Sequence, residues 1–112
     1  MSLSPHSQNI FPAAGENPPQ VDLVIPVYNE EEAITAFHQR LRAVIDPLPY
    51  RFHILYVNDG SKDATAEHLA EIAAADRRVT VIELSRNFGH QAALTAGLDH
   101  SRGDFVISLD GD

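Results

Sequence analysis

The sequence predicts an α/β fold, a parallel sheet with helices on both faces and the strand order 3-2-1-4. Three observations carry that reading. Short apolar, β-branched runs alternate with segments whose apolar residues recur at helical spacing. Connections of this length between strands imply right-handed βαβ units. Each apolar run also ends in a polar cluster, and an open parallel sheet binds its ligands at the carboxyl ends of its strands, near the point where strand order reverses.

The elements follow in order. Met1 to Gln20 hold Ser, Asn and four of the seven prolines without apolar periodicity, which predicts a flexible leader ahead of a domain spanning 21–112. Val21 to Val27 is a nearly continuous apolar run, the mark of a strand buried on both faces. From Glu30 the period changes: Ala33, Ile34, Phe37, Leu41, Val44 and Ile45 share one helical face, and Pro47 and Pro49 close the helix. Phe52 to Val57 is the second strand and Asp63 to Ala75 the second helix, with Leu69, Ile72 and Ala73 inward. Val79 to Leu84 is the third strand. The helix after it, from about His90 to Ser101, carries Ala92, Ala93, Ala96 and Gly97, small enough for a close approach to the sheet. Phe105 to Leu109 is the fourth strand, running into Asp110-Gly111-Asp112.

Bulk composition narrows the function. The chain of 112 residues is 44% hydrophobic and 21% charged, ordinary for one soluble domain. A formal net charge of −8 argues against a nucleic-acid surface, which needs clustered Lys and Arg. With no cysteine there is neither a disulfide framework nor a thiolate metal site, as in a reducing compartment. No apolar run approaches the roughly 18 residues of a membrane span, and no signal-peptide core is visible.

The polar clusters are Tyr28-Asn29-Glu30, Asn58-Asp59-Gly60-Ser61, Ser85-Arg86-Asn87 and the terminal D-x-D. With strands one and four adjacent, the Pro26 to Glu30 segment would face the D-x-D across one crevice. Each cluster has two readings. Asn58 to Ser61 either turns the chain and caps a helix, or presents Asp59 to the donors of a base or ribose. Tyr28 is either packing or a stacking face for a nucleobase, with Pro26 beside it. Glu30 either favours the helix N-terminus, as Glu31 and Glu32 do, or lines the crevice. Arg86 is a solvated loop cation or a phosphate holder. The D-x-D is a strand-end turn or a carboxylate pair for Mg²⁺ or Mn²⁺ and a bridging diphosphate. Of the six histidines, His38, His68 and His100 are expected at the surface and His53 as strand packing. His90, at a helix start, is the one near the crevice.

Together these residues resemble the family 2 glycosyltransferases of the GT-A fold, and within them the polyprenyl-phosphate branch. The segments that carry the resemblance are Val24 to Glu31, Val57 to Thr65, Leu84 to His90 and Ala96 to Asp104, followed by the D-x-D. The resemblance implies the Rossmann-like, nucleotide-binding N-terminal half of a GT-A domain. It implies that Pro26, Tyr28 and Glu30 line the nucleotide pocket, that Asp59 contacts base or ribose, and that Asp110 and Asp112 hold Mg²⁺ or Mn²⁺ with the donor diphosphate. Arg86 is carried over as a further nucleotide contact. The family's second motif often begins Asp-Asp; here Asn58 takes the first position, which leaves the nucleotide contact to Asp59.

The implied reaction moves a sugar from a UDP- or GDP-linked donor to a polyprenyl phosphate with inversion, the metal assisting departure of the diphosphate. The acceptor-binding half, the catalytic base and any membrane association would lie beyond Asp112, which leaves donor binding to these residues. A cytoplasmic location, at the membrane face for the complete protein, is the matching expectation. Two alternatives stand: a non-catalytic nucleotide-binding fragment, and a nucleotidyltransferase. The second would carry a Gly-rich, basic phosphate loop after strand one, and Tyr28-Asn29-Glu30 is neither.

Overall fold

A computed structural model describes residues 18–109. Seven elements alternate: β1 (Gln20–Val27), α1 (Ile34–Ile45), β2 (Arg51–Asn58), α2 (Thr65–Ala75), β3 (Val79–Glu83), α3 (His90–Asp99) and β4 (Phe105–Ser108). The four strands form one sheet in the order β3-β2-β1-β4, and every pairing is parallel. That is the predicted order, with the switch point between β1 and β4.

Side-chain alternation along the central strands divides the interior into two layers. Val21, Leu23, Ile25 and Val27 of β1 join Ile54 and Tyr56 of β2 against α1 and α2, through Ile34, Ile45, Leu69 and Ile72. Val24 of β1 with Leu55 and Val57 of β2 faces the other way, against Ala93 of α3. Of the small residues of α3, Ala93 and Gly97 are buried against the sheet and Ala96 is half-buried, whereas Ala92 is exposed. A Cβ on Gly97 would stand 2.3 Å from Val24 Cγ1, so only glycine lets this helix lie so close to the sheet.

A proline in a central strand would ordinarily remove a ladder bond. Parallel strands point alternate residues at alternate neighbours. Val27 O receives the Asp59 amide on the β2 side, and Val24 O receives the Leu109 amide on the β4 side. Pro26 therefore faces the β4 side, past Val24↔Ser108, the last pair in that register among the described residues.

Several expectations need correction. Val44 was placed on the inner face of α1 but is 63% exposed, because the buried arc runs through Ile34, His38 and Ile45, about 100° of helical turn away from it. His38, expected at the surface, is 5% exposed and belongs to a buried polar network. Its Nδ1 lies 2.7 Å from the Tyr56 hydroxyl and its Nε2 lies 3.0 Å from Asp76 Oδ2. Arg78 grips Asp76 through Nε and Nη2 and reaches Asp46 through Nη1. The helical period of α1 is correct; what it hides is that a buried tyrosine hydroxyl demands a polar partner inside. Helix α2 begins at Thr65 rather than Asp63, since Asp63 Oδ1 accepts the Thr65 amide and hydroxyl from in front of the helix. At the other end of the sheet β1 takes in Gln20, and the Pro19 carbonyl accepts the Arg51 amide. The proposed leader up to residue 17 and the D-x-D lie outside the described residues.

Candidate functional site

At the carboxyl end of β1 the chain turns through Asn29, whose φ of 49° is the one positive value among the described non-glycine residues. The turn is held from β2–α2. The Asn29 amide donates to Ser61 Oγ (2.9 Å), and Asn29 Oδ1 accepts the Lys62 amide (2.8 Å). The Glu30 amide donates to Thr65 Oγ1, while Glu31 and the Asp63–Ala64 segment exchange bonds in both directions. Burial pushes the Asp63 carboxyl up, but the Thr65 hydroxyl and the Thr65 and Glu31 amides outweigh it and hold the group below the usual carboxylate range. The first two motifs of the sequence thus bind each other before either binds a ligand.

The end of β2 is tied to the end of β3 in turn. Asn58 accepts the Ser61 amide and hydroxyl through Oδ1 and donates through Nδ2 to Glu83 Oε1 (2.8 Å). An aspartate could not donate there and would set two carboxylates against each other, which explains the amide at this position. Asp59, 3% exposed, turns its carboxylate onto the β3–α3 loop. Oδ1 accepts the Phe88 amide at 2.8 Å, and Oδ2 accepts the Gly89 amide at 3.0 Å and Asn87 Nδ2 at 3.3 Å. Gly60, with φ of 68°, packs so tightly under this loop that a Cβ would stand 2.1 Å from the Arg86 carbonyl carbon.

The three laced loops surround an open cleft of about 310 Å³, lined by Pro26, Val27, Tyr28, Asp59, Asn87, Gly89 and His90. Pro26, Tyr28 and Asp59, read as site residues from the sequence, come together here, and so does His90 at the first turn of α3. Tyr28 is 40% exposed and free to offer a ring face. Glu30 lies outside this cleft, in a neighbouring depression with Asn29, Glu31, Glu32, Ala33 and Asp63. Arg86 does not line the cleft either; its guanidinium carbon sits 4.9 Å above the centre of the Phe88 ring. Asp110 and Asp112 lie outside the described residues. They follow Leu109, whose amide bonds Val24 O at the switch point, and carboxylate oxygens are the donors that Mg²⁺ and Mn²⁺ favour. Among the described residues no group of three or more His, Asp or Glu side chains could hold a metal ion.

Sequence reasoning missed the part Asn87 and Gly89 play in the wall. The available signal was Asn-Phe-Gly directly before a helix, a turn whose free amides need an acceptor.

Comparison with known proteins gives a consistent picture. The family model of glycosyl transferase family 2 matches residues 22–112. The bactoprenol glucosyl transferase of Shigella phage SfV is 46% identical over 93 residues, which are 83% of this chain and 30% of that protein. The chain thus spans about 30% of the length of such a relative. Among solved structures, S. aureus TarS residues 1–349 in complex with UDP superposes with a TM-score of 0.69 at 25% identity, over 83% of this chain and 27% of that one. The mannosyltransferase PcManGT of Pyrobaculum calidifontis, in complex with GDP-Man and Mn²⁺, superposes at 0.70 over 84% of this chain and 28% of that one; at 24% identity it speaks for the fold. The four-stranded parallel sheet is the fold of GT-A glycosyltransferases, and the chain belongs to glycosyl transferase family 2.

Proposed function

We propose that the protein transfers a sugar, with inversion, from a UDP- or GDP-linked donor to a polyprenyl phosphate, and that the described residues form the grip on the donor. The observation that carries the reading is the convergence of Pro26, Tyr28, Asp59 and His90 on one cleft at the carboxyl end of a parallel sheet, beside its switch point. Tyr28 stacks on the base, with Pro26 forming the floor beside it. Asp59 lines the cleft, while Glu30 and Arg86, which do not, would meet parts of the donor that extend beyond it. UDP in the TarS structure supports a nucleoside diphosphate as the occupant, and the bactoprenol relative supports a polyprenyl phosphate as the acceptor.

Asp110 and Asp112 would hold Mg²⁺ or Mn²⁺, which offsets the charge growing on the departing diphosphate. Anchoring of Leu109 to β1 supports a place for that pair at the switch point. No helix among the described residues is long and apolar enough to cross a membrane. A polyprenyl-phosphate acceptor, supported by the bactoprenol relative, favours action at the cytoplasmic membrane face for the complete protein. A nucleotidyltransferase is disfavoured because the loop after β1 is laced to the β2–α2 loop by side chains, with no glycine-rich phosphate loop. The test is transfer by the intact protein from a panel of UDP- and GDP-sugars to a polyprenyl phosphate, with the product anomer read by NMR. One preferred donor and inverted product are expected; no transfer from any donor would overturn the proposal.

A further inference from the structure

We propose that Asp22, at the amino end of the sheet, is a positioning residue for the D-x-D: it fixes the register in which β4 joins β1, and so the point along β1 at which the chain enters Asp110-Gly111-Asp112. The Asp22 carboxylate is buried beneath the turn that leads from α3 into β4. Oδ2 accepts the Arg102 amide at 2.7 Å and the Gly103 amide at 3.0 Å, while Oδ1 accepts Gln20 Nε2 at 2.9 Å. Two consecutive amides converging on one carboxylate form an anion nest filled from within the protein. The same turn is tied once more to the start of β1. The Asp104 amide donates to Gln20 O (2.8 Å), and the Gln20 amide donates to Asp104 Oδ2 (2.9 Å). Gly103 lies so close that a Cβ there would stand 2.7 Å from Asp22 Oδ1.

β4 needs such a fastening because its side chains do little to set its register. Register is specified where a strand buries one face, since a slip then turns apolar side chains to water. Here Val106 and Ile107 are already 41% and 47% exposed, and among the described residues β4 pairs with β1 alone. Phe105, Ile107 and Leu109 share one face by alternation, so a slip by two residues exchanges one apolar side chain for the next. Such a slip would carry Leu109 about 6.6 Å along β1. The lock stands at one end of β4 and its consequence at the other. Leu109, the residue before the D-x-D, donates its amide to Val24 O in the register that pairs Val24 with Ser108. Helix α3, which shares the turn, is held separately, with Ala93 buried and Gly97 packed on Val24. Loss of the Asp22 carboxylate therefore falls on β4, while the cleft between Tyr28 and His90 keeps its shape.

This deepens the reading of the D-x-D as the metal–diphosphate site and rests on it, so the test has two independent arms. In the intact, unmodified protein, hydrogen exchange read by NMR should show the Arg102, Gly103 and Leu109 amides protected by at least ~10-fold over an open chain. In Asp22→Asn the protection of Leu109 should disappear while the amides of β2 keep theirs. Calorimetry on the same variant should show metal-free UDP binding as in the parent but no strengthening of it by Mn²⁺, a split that general destabilisation would not give. Should Asp22→Asn fail to fold, Gly103→Ala keeps the carboxylate but pushes the turn off it, and the same two results are expected. Unprotected Arg102 and Gly103 amides in the unmodified protein would overturn the lock whatever the variants do. A protected Leu109 amide in the variant, retained strengthening by Mn²⁺, or equal loss of UDP binding with and without the metal would overturn it too. UDP binding by the unmodified protein that ignores Mn²⁺ would instead overturn the D-x-D reading, with the register lock judged on exchange alone.

Discussion

Replacing Gly60 by alanine adds one methyl group where two loops meet, and the structure gives the consequences in order. The new Cβ would lie 2.1 Å from Arg86 C and 2.3 Å from Asn87 N, both backbone atoms. Carbon atoms rest at about 3.5 Å, so the β3–α3 loop must retreat by roughly 1 Å. A retreat of that size carries the Phe88 and Gly89 amides, now 2.8 and 3.0 Å from Asp59, out of good hydrogen-bond range. Holding alanine at a left-handed φ costs about 1–2 kcal/mol. Overpacking adds about 1–3 kcal/mol, and the stiffer unfolded chain returns less than about 1 kcal/mol. The net loss is about 2–4 kcal/mol, or a fall of about 10 °C in thermal midpoint for a domain of this size.

Gly60→Asn separates the two causes. Asparagine tolerates the left-handed backbone but carries the same Cβ, so it should be nearly as damaging as alanine. Gly89→Ala is the complementary control: φ there is 102° but nothing lies within 4 Å of an added Cβ, so only strain of about 1–3 kcal/mol is incurred. Urea denaturation of the three variants, with nucleotide titration of each, gives the comparison. A Gly60→Ala protein within about 0.5 kcal/mol of the parent, or full recovery in Gly60→Asn, would refute the close-packing argument.

Four other perturbations have defined outcomes. Burial, against the pull of Asp76, holds His38 below its ordinary pKa, so it is neutral in the fold and the unfolded chain takes up its proton first as pH falls through about 6.5. The thermal midpoint should therefore drop between pH 7 and pH 5, with the drop reduced in His38→Gln; equal slopes in the two proteins would count against a neutral buried imidazole. Hydrogen bonds from Arg78 hold Asp76 far below its ordinary value, so its contribution is present above about pH 4 and disappears only in stronger acid. Asp22, fully buried, accepts the Arg102 and Gly103 amides at 2.7 and 3.0 Å, and Asp22→Asn should cost about 1–3 kcal/mol in urea midpoint analysis by setting a donor against a donor. Tyr28→Ala should weaken nucleotide binding by about 1–3 kcal/mol while Tyr28→Phe keeps it, because the ring face and not the hydroxyl is used; equal loss in both would remove stacking from the account.

The layout of the sheet was legible because it rests on short-range signals. Apolar runs, helical periods and strand-end polar residues each report a local choice, and the crossover rule converts their alternation into topology. The cleft was legible in part: Pro26, Tyr28 and Asp59 were identifiable because strand ends are where an open parallel sheet binds. What stayed hidden depends on long-range pairing. The amides that donate to Asn29, Asp63 and Asp59 lie about thirty residues away in sequence, and no periodicity reports them. His38 escaped for the same reason, since its partners Tyr56 and Asp76 come from two other elements. Residue type alone made it a surface histidine, and only the fold makes it a buried one.

The account stands most directly on metal-dependent donor binding. Calorimetric titration of the protein with UDP- and GDP-sugars, with and without Mn²⁺, compares the parent with Asp110→Ala. Saturable binding that strengthens with Mn²⁺ and loses that metal dependence in Asp110→Ala is the expected result. No binding of either donor, or binding indifferent to both the metal and Asp110, would contradict the assignment of this cleft as a nucleotide-sugar site.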